Sequence, residues 1–195
     1  MIVFLTAVFF LLITPGPGVL STAGVGSAFG ATSGYRYVFG LFLGTNLVAL
    51  AVVTGVAGLI LAQPQIRTLL MYASVLYLVY LAAKIAFAGS NIAFIESTRA
   101  PGIRDAILLQ LINPKAYVVN TALFTGFPFA GTSLLAETLW KFVLINLIWI
   151  PIHLIWLAAG IALKRMDLPQ KWQRTINIFM ACSLLAVVFL AMSMS

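Results

Sequence analysis

Charge is what this chain has least of. Only 8% of its 195 residues are Asp, Glu, Lys or Arg, against about 25% in an ordinary soluble domain. So few charges cannot cover a water-soluble globule, and 63% of the residues are hydrophobic. The chain therefore reads as a polytopic membrane protein. Cysteine is nearly missing as well: Cys182, alone within 178-IFMACSLLAVVF-189, cannot form an intrachain disulfide and suits a small apolar filler. There are four acidic residues and one histidine. No Cys/His/Asp cluster forms, so no metal site and no cofactor is expected. No spaced set of catalytic residues occurs either, which argues against an enzyme. The net charge of +7 is not gathered into a basic patch interleaved with aromatics, so no nucleic acid is expected as a partner. The opening run 1-MIVFLTAVFFLLI-13 lacks a preceding positive residue and an A-x-A-like cleavage site, and is taken as a retained first span.

What is present is length enough for repeated crossings of a bilayer. A membrane helix needs about 20 mostly apolar residues. Six such stretches are predicted at 2–26, 38–62, 68–88, 105–127, 138–163 and 175–194. The breaks are short, as in 63-QPQIR-67 and 164-KRMDLPQKWQR-174, and the one long connection is 89-GSNIAFIESTRAPGIR-104. The expectation is a single all-α transmembrane domain over residues 1–195. Arg36, Lys84, Arg99, Arg104, Lys164, Arg165, Lys171 and Arg174 fall in the loops after spans one, three and five. Only Arg67 and Lys141 fall on the other side, and Lys115 lies inside span four. By the positive-inside rule the odd loops are cytoplasmic, so both termini are expected on the periplasmic side.

The two halves, approximately 1–90 and 104–195, echo one another. Span one carries 12-LITP-15 and span four 111-LINP-114, an offset of 99; span two carries 46-NLV-48 and span five 146-NLI-148, an offset of 100. Three spans per half would insert the second half upside down. Two inverted three-helix repeats, with helices one and four broken at their Pro motifs, are a transporter design with substrate held at the midplane. Proline removes a backbone donor and strands a carbonyl one turn earlier. In lipid such a group must line a cavity or face protein. Thr14 lies about 18 Å into span one at 1.5 Å per residue, close to the middle of the hydrocarbon core. Gly16 and Gly18 remove side chains there.

Span four adds a charge. Lys115 is about 15 Å beyond Asp105 along the helix. An ionisable group at that depth marks a functional site by default. Its candidate partners are carbonyls freed around Pro15, a substrate carboxylate, Asp105 or Glu96. His153, in 146-NLIWIPIHLIW-156, is also deep. Two readings stay open for it: carrier of a coupling proton, or a neutral ring bonded to a carbonyl freed by Pro151. Asn46, Asn113, Asn120 and Asn146 are polar at membrane depth, and Asn113 and Asn120 flank Lys115. Gly40 and Gly44 form a small-xxx-small pair suited to helix packing. Tyr35, Tyr37, Trp140 and Trp172 suit interfacial anchoring.

Taken together, 13-ITPGPGVL-20, 40-GLFLG-44, 77-YLVYLAAK-84 and 112-INPKA-116 make the chain resemble the LysE/RhtB family of bacterial amino-acid exporters over essentially its whole length. The resemblance implies six spans, export across the inner membrane and proton coupling by antiport; a homodimer is compatible with it. The small-molecule substrate would be an amino acid or derivative. The family's motif residues map onto Thr14, Pro15, Gly16, Pro17, Asn113, Pro114 and Lys115, with Gly18 and Asn120 beside them and Lys115 or His153 in proton coupling. Lys115 would hold the substrate carboxylate. The chain departs from the family in Gly18, where many relatives have Asn, in Val48 for a histidine, in 125-TGF-127 without the usual proline, and in Ala82 for glycine, which marks a divergent member. Two rivals stand beside this expectation: an exporter of metal or other inorganic ions, and a non-transporting membrane assembly partner.

Overall fold

Both proline motifs interrupt helices, and these interruptions set the architecture. The computed structural model describes residues 1–14, 16–55, 58, 62–87, 100–166 and 169–193. Pro15, Glu96, Arg99 and most of the expected 89–104 connection lie outside these residues. Among the described residues there are eight α-helices and no strand. They are α1 (Ile2–Ile13), α2 (Pro17–Phe29), α3 (Ala31–Val53), α4 (Pro64–Ala86), α5 (Ile103–Ile112), α6 (Pro114–Thr125), α7 (Leu134–Arg165) and α8 (Gln170–Ser193).

The expected first span is thus two helices, α1 and α2, bent by 50°. Thr14 ends α1 in an extended conformation (φ −55°, ψ 126°), the kind that a following proline enforces. Pro17 then opens α2 at the first helical position, where its missing N–H is no loss. The expected fourth span breaks the same way. Asn113 (φ −79°, ψ 108°) separates α5 from α6, and Pro114 starts α6. The Asn113 side chain caps α6 by accepting from the Lys115 backbone N–H at 3.1 Å. Span two begins earlier than expected, at Ala31. Gly30 alone, with φ of 82°, reverses the chain, so no loop is needed.

By length and composition α3 and α7 can each cross a membrane, and the bent α1–α2 pair can count as a third crossing. The remaining expected spans are helical, but α5 and α6 are short, and α4 and α8 open on polar residues such as Gln65, Lys171 and Arg174. The polarity pattern is inside out relative to a soluble protein. Leu69, Leu76, Leu134, Leu147, Ile155 and Phe179 are exposed, whereas Ser21, Thr22, Gln110, Asn113, Asn120 and His153 are buried. An apolar exterior around polar interior groups belongs to a chain solvated by lipid.

Helix α2 is the hub. Its residues Val19 to Gly26 are buried without interruption, as for a helix packed on all sides. On one flank, Gly26 lies against Leu157 and Ile161 of α7, while Gly160 of α7 admits the Ala23 backbone. Helix α3 packs on α5 through Gly40 and Gly44. A methyl group at either would collide with α5, at Ile103 and Ala106 or at Ile107 and Gln110. One expectation fails here. Tyr35, Trp140 and Trp172 are exposed, but Tyr37 is fully buried, with its hydroxyl unpartnered among the described residues. The early start of α3 carries Tyr37 into the helical core, where it packs with Val25, Leu41 and Leu81.

Two polar contacts fasten the bundle. Asn46 of α3 and Asn146 of α7 exchange hydrogen bonds at 3.1 and 2.8 Å, and each amide also donates to the carbonyl four residues back, Phe42 or Phe142. At one end, the buried Lys141 ammonium donates to Glu137 at 2.6 Å and to the Phe124 carbonyl at 2.8 Å. Glu137 in turn accepts from the Phe129 backbone at 3.0 Å. The Phe4 and Phe129 rings sit beside that ammonium.

The asparagine pair gives a direct expectation for stability. Asn46→Ala and Asn146→Ala should each lower the melting temperature of the detergent-solubilised protein. The double variant should be little worse than either single one, with a coupling of about 1 kcal/mol. Strictly additive losses would show that the two amides act independently.

Candidate functional site

The two helix breaks converge on one cavity of about 60 Å³. Its walls include Thr14, Gly16, Pro17 and Gly18 from the first break and Gln110, Asn113, Lys115 and Asn120 from the second. Thr45, Trp149 and His153 face it from α3 and α7, and Leu11, Val119, Leu123 and Ile145 give it an apolar side. That volume holds a few water molecules, since one needs about 10–15 Å³ on this measure. Two helices end at the cavity and two begin there. Their free carbonyls and N–H groups place partial negative and partial positive charge side by side.

The central contact joins the two breaks. Lys115 Nζ donates to the Thr14 carbonyl at 2.8 Å. Of the partners the sequence suggested, it is therefore a carbonyl freed at the first break that meets Lys115. Asp105 instead accepts from the Gly102 N–H at the start of α5, at 2.7 Å. Gly16 is what lets the lysine lie there. A Cβ at Gly16 would stand 2.9 Å from Lys115 Nζ and 3.0 Å from its Cδ. Thr14 also returns its hydroxyl to the Phe10 carbonyl, at 2.5 Å, which satisfies the last turn of α1.

The second break is internally tied. Asn113 Oδ1 receives the Lys115 N–H, and Asn113 Nδ2 donates to Gln110 Oε1 at 3.1 Å. Asn120 Nδ2 donates to the Ala116 carbonyl at 2.7 Å, which leaves the oxygen of this cavity-lining residue without a hydrogen bond among the described residues. Pro114 does not line the cavity but fixes the start of α6 between Asn113 and Lys115. Gly18 faces His153 and Gln110: a Cβ there would lie 3.4 Å from His153 Nε2 and 3.7 Å from Gln110 Nε2, at ordinary contact distance.

His153 is buried and stacks on Trp149, with ring centroids 3.6 Å apart and an interplanar angle of 14°. Its Nδ1 lies 3.0 Å from the Trp149 carbonyl. A carbonyl only accepts, so Nδ1 carries the hydrogen, and in the neutral ring Nε2 presents a lone pair toward Gly18. The acceptor is not the carbonyl freed by Pro151, which is that of Leu147. The ring shares the carbonyl of its own preceding turn, because it lies along the helix toward the N-terminus as helical side chains do.

Of the residues marked in the sequence, the cavity gathers Thr14, Gly16, Pro17, Gly18, Asn113, Lys115, Asn120 and His153. Gly40 and Gly44 sit apart, at the α3–α5 contact. Sequence reasoning missed Gln110, Thr45 and Trp149. The signal for Gln110 was there, as a lone amide in the apolar run 106-AILLQLI-112 one helical turn before Asn113. Thr45 and Trp149 had no such signal, since threonine and tryptophan are common in membrane helices.

Similarity to known proteins points the same way as the site. The family model described as LysE type translocator matches residues 9–195. A leucine efflux protein of Salmonella typhimurium is 31% identical over 148 residues, covering 70% of each chain. A leucine efflux protein of Enterobacter sp. is 29% identical over 131 residues, covering 64% of this chain and 61% of that one. An uncharacterized membrane protein of Pseudomonas aeruginosa is 31% identical over 146 residues, covering 68% of each. No solved structure matches.

If Gly16 seats the lysine, adding one methyl group should unseat it. In Gly16→Ala, a small amine-directed reagent should label Lys115 several-fold faster than in the wild type, read by peptide mass spectrometry. Unchanged labelling would mean that the ammonium keeps its place on Thr14.

Proposed function

Because the chain belongs to the LysE type translocator family, we propose that it exports amino acids or amino-acid-like metabolites across a bacterial inner membrane by proton-coupled antiport. Family members are transporters, not enzymes. The observation that carries this proposal is the Lys115–Thr14 contact, a cation held on a freed carbonyl inside a cavity built from two broken helices. A substrate carboxylate draws the ammonium off Thr14, and the carbonyl it leaves accepts from the substrate's own ammonium group. Exchange of one internal hydrogen bond for two substrate contacts keeps both Lys115 and the Thr14 carbonyl partnered at membrane depth. A cationic lysine at the centre repels a metal cargo, so the ion-exporter alternative has no observation in its favour.

Alternating access between two inverted halves fits the internal offsets. Asn46 and Asn146 are 100 residues apart and bond reciprocally. Lys115 and Gly16, 99 apart, pack against each other. Pairs of equivalent positions in mutual contact are what a two-fold axis in the membrane plane produces. The termini would then both face the periplasm, a reading that the placement of Lys and Arg supports.

Proton coupling is assigned to His153. Its Nε2 lone pair can take a proton or accept from the substrate's ammonium group, but not both. Entry of a proton therefore disfavours a bound cationic amine, which gives exchange of one for the other. Lys115 is the other charged group at the cavity and adds to the repulsion once His153 is charged.

Two experiments test this function. Cells overproducing the wild type should tolerate toxic amino-acid analogues and expel radiolabelled leucine, while Lys115→Ala should fall at least about tenfold in efflux, the effect of one lost charged contact. Equal efflux by wild type and Lys115→Ala would defeat the proposal. In proteoliposomes, His153→Gln should retain a weakened substrate exchange that no longer responds to an imposed pH gradient; a normal response would move proton coupling elsewhere.

A further inference from the structure

The orientation of the Gln110 amide is forced by the helix cap beside it. The Lys115 backbone N–H can only donate, so the Asn113 group that meets it at 3.1 Å is the carbonyl oxygen. Asn113 Nδ2 is then the donor in the second contact, at 3.1 Å, and Gln110 must present its oxygen there. This leaves Gln110 Nε2, with both hydrogens, pointing toward Gly18 in the cavity wall. No hydrogen bond occupies it among the described residues. The same logic holds for His153, whose Nδ1 is committed to Trp149 and whose Nε2 faces the same empty position above Gly18. Gln110 is 4% exposed and His153 3%, and both side chains line the cavity. A free donor and a free acceptor converge where Gly18 supplies no side chain.

We propose that Gln110 is a substrate-binding residue: its amide donates to the substrate carboxylate together with Lys115, while His153 Nε2 accepts from the substrate ammonium together with the Thr14 carbonyl. This rests on the exporter function proposed above and specifies its substrate class. Beside the Asn120 oxygen, the cavity then offers these two donors and two acceptors to a zwitterionic head group. The apolar side made by Leu11, Val119, Leu123 and Ile145 receives an aliphatic side chain. The substrate is thus a free α-amino acid with an aliphatic side chain, and a derivative with a blocked carboxylate is bound poorly.

The test compares leucine with leucinamide, which keeps the ammonium group and lacks the carboxylate. Purified wild type, Gln110→Glu, Gln110→Leu and Gly18→Ala are reconstituted in liposomes, and leucinamide competes against counterflow of radiolabelled leucine. Gln110→Glu sets a carboxylate against the substrate's own. It should raise half-saturation by leucine by about tenfold to a hundredfold while leucinamide competes as well as before or better. Gln110→Leu should weaken leucine about tenfold and leave leucinamide unchanged. Gly18→Ala adds a methyl at ordinary contact distance, so it should fold normally and weaken both compounds together. Monodisperse gel filtration certifies each variant, and if Gln110→Glu fails it, Gln110→Leu carries the comparison. An unchanged ratio of leucinamide to leucine affinity in the Gln110 variants overturns the assignment and leaves Gln110 as packing. A wild type that exchanges none of the standard amino acids overturns the exporter function itself, a separable result.

Discussion

In hydrocarbon, a backbone carbonyl without a donor costs several kcal/mol, and this fold depends on how two such carbonyl sets are served. Proline motifs interrupt the chain in each half, and nothing in lipid can repair an interruption. The repair has to come from within, so the breaks face inward and face each other. The lysine of one break covers the carbonyl of the other. The Thr14 and Asn113 side chains serve the end of α1 and the start of α6 locally. The cavity is what remains between two breaks that must stay close enough to satisfy one another. Its polarity and its position follow from the same requirement.

Helix packing serves that meeting. Helix α2 is buried on every side because it carries the start of the second half-helix into the centre, and small residues let its neighbours approach its backbone. Helix α3 closes on α5 through Gly40 and Gly44, and Gly44 lies directly against Gln110. A bulkier residue at Gly40 would loosen the wall without touching the site, whereas one at Gly44 would press on Gln110 itself.

Much of this was legible in the sequence, for a physical reason. In so apolar a chain every polar or helix-breaking residue at depth needs a cause, so Thr14, Gly16, Gly18, Asn113, Lys115, Asn120 and His153 stood out and the cavity lines up with them. Lys115 had several conceivable partners, and the carbonyls near Pro15 were among them, because the residue before a proline and the turn behind it lose their donors. What could not be read was three-dimensional register. Tyr37 looked interfacial because it lay near a predicted span end, but one left-handed glycine at position 30 moved that end and buried the ring. The partner carbonyl of His153 was misjudged because the ring bends back along its own helix. Gln110 was overlooked because its meaning lies in a hydrogen-bond chain through Asn113 and not in any spacing.

The Lys141 cluster shows what sealing one end of such a bundle entails. Its ammonium is shared between a carboxylate on its own helix, the last turn of α6 through Phe124, and two aromatic faces. Glu137 travels with Lys141, since both ride on α7, but Phe124 does not. Any movement that parts α6 from α7 at this end strips one donor contact from a buried cation and wets the rest. Water reaching the ion then compensates part of the loss. At this end, then, a single buried charge ties α1, α6 and α7 together, and its cost of exposure is set by how many of those contacts survive.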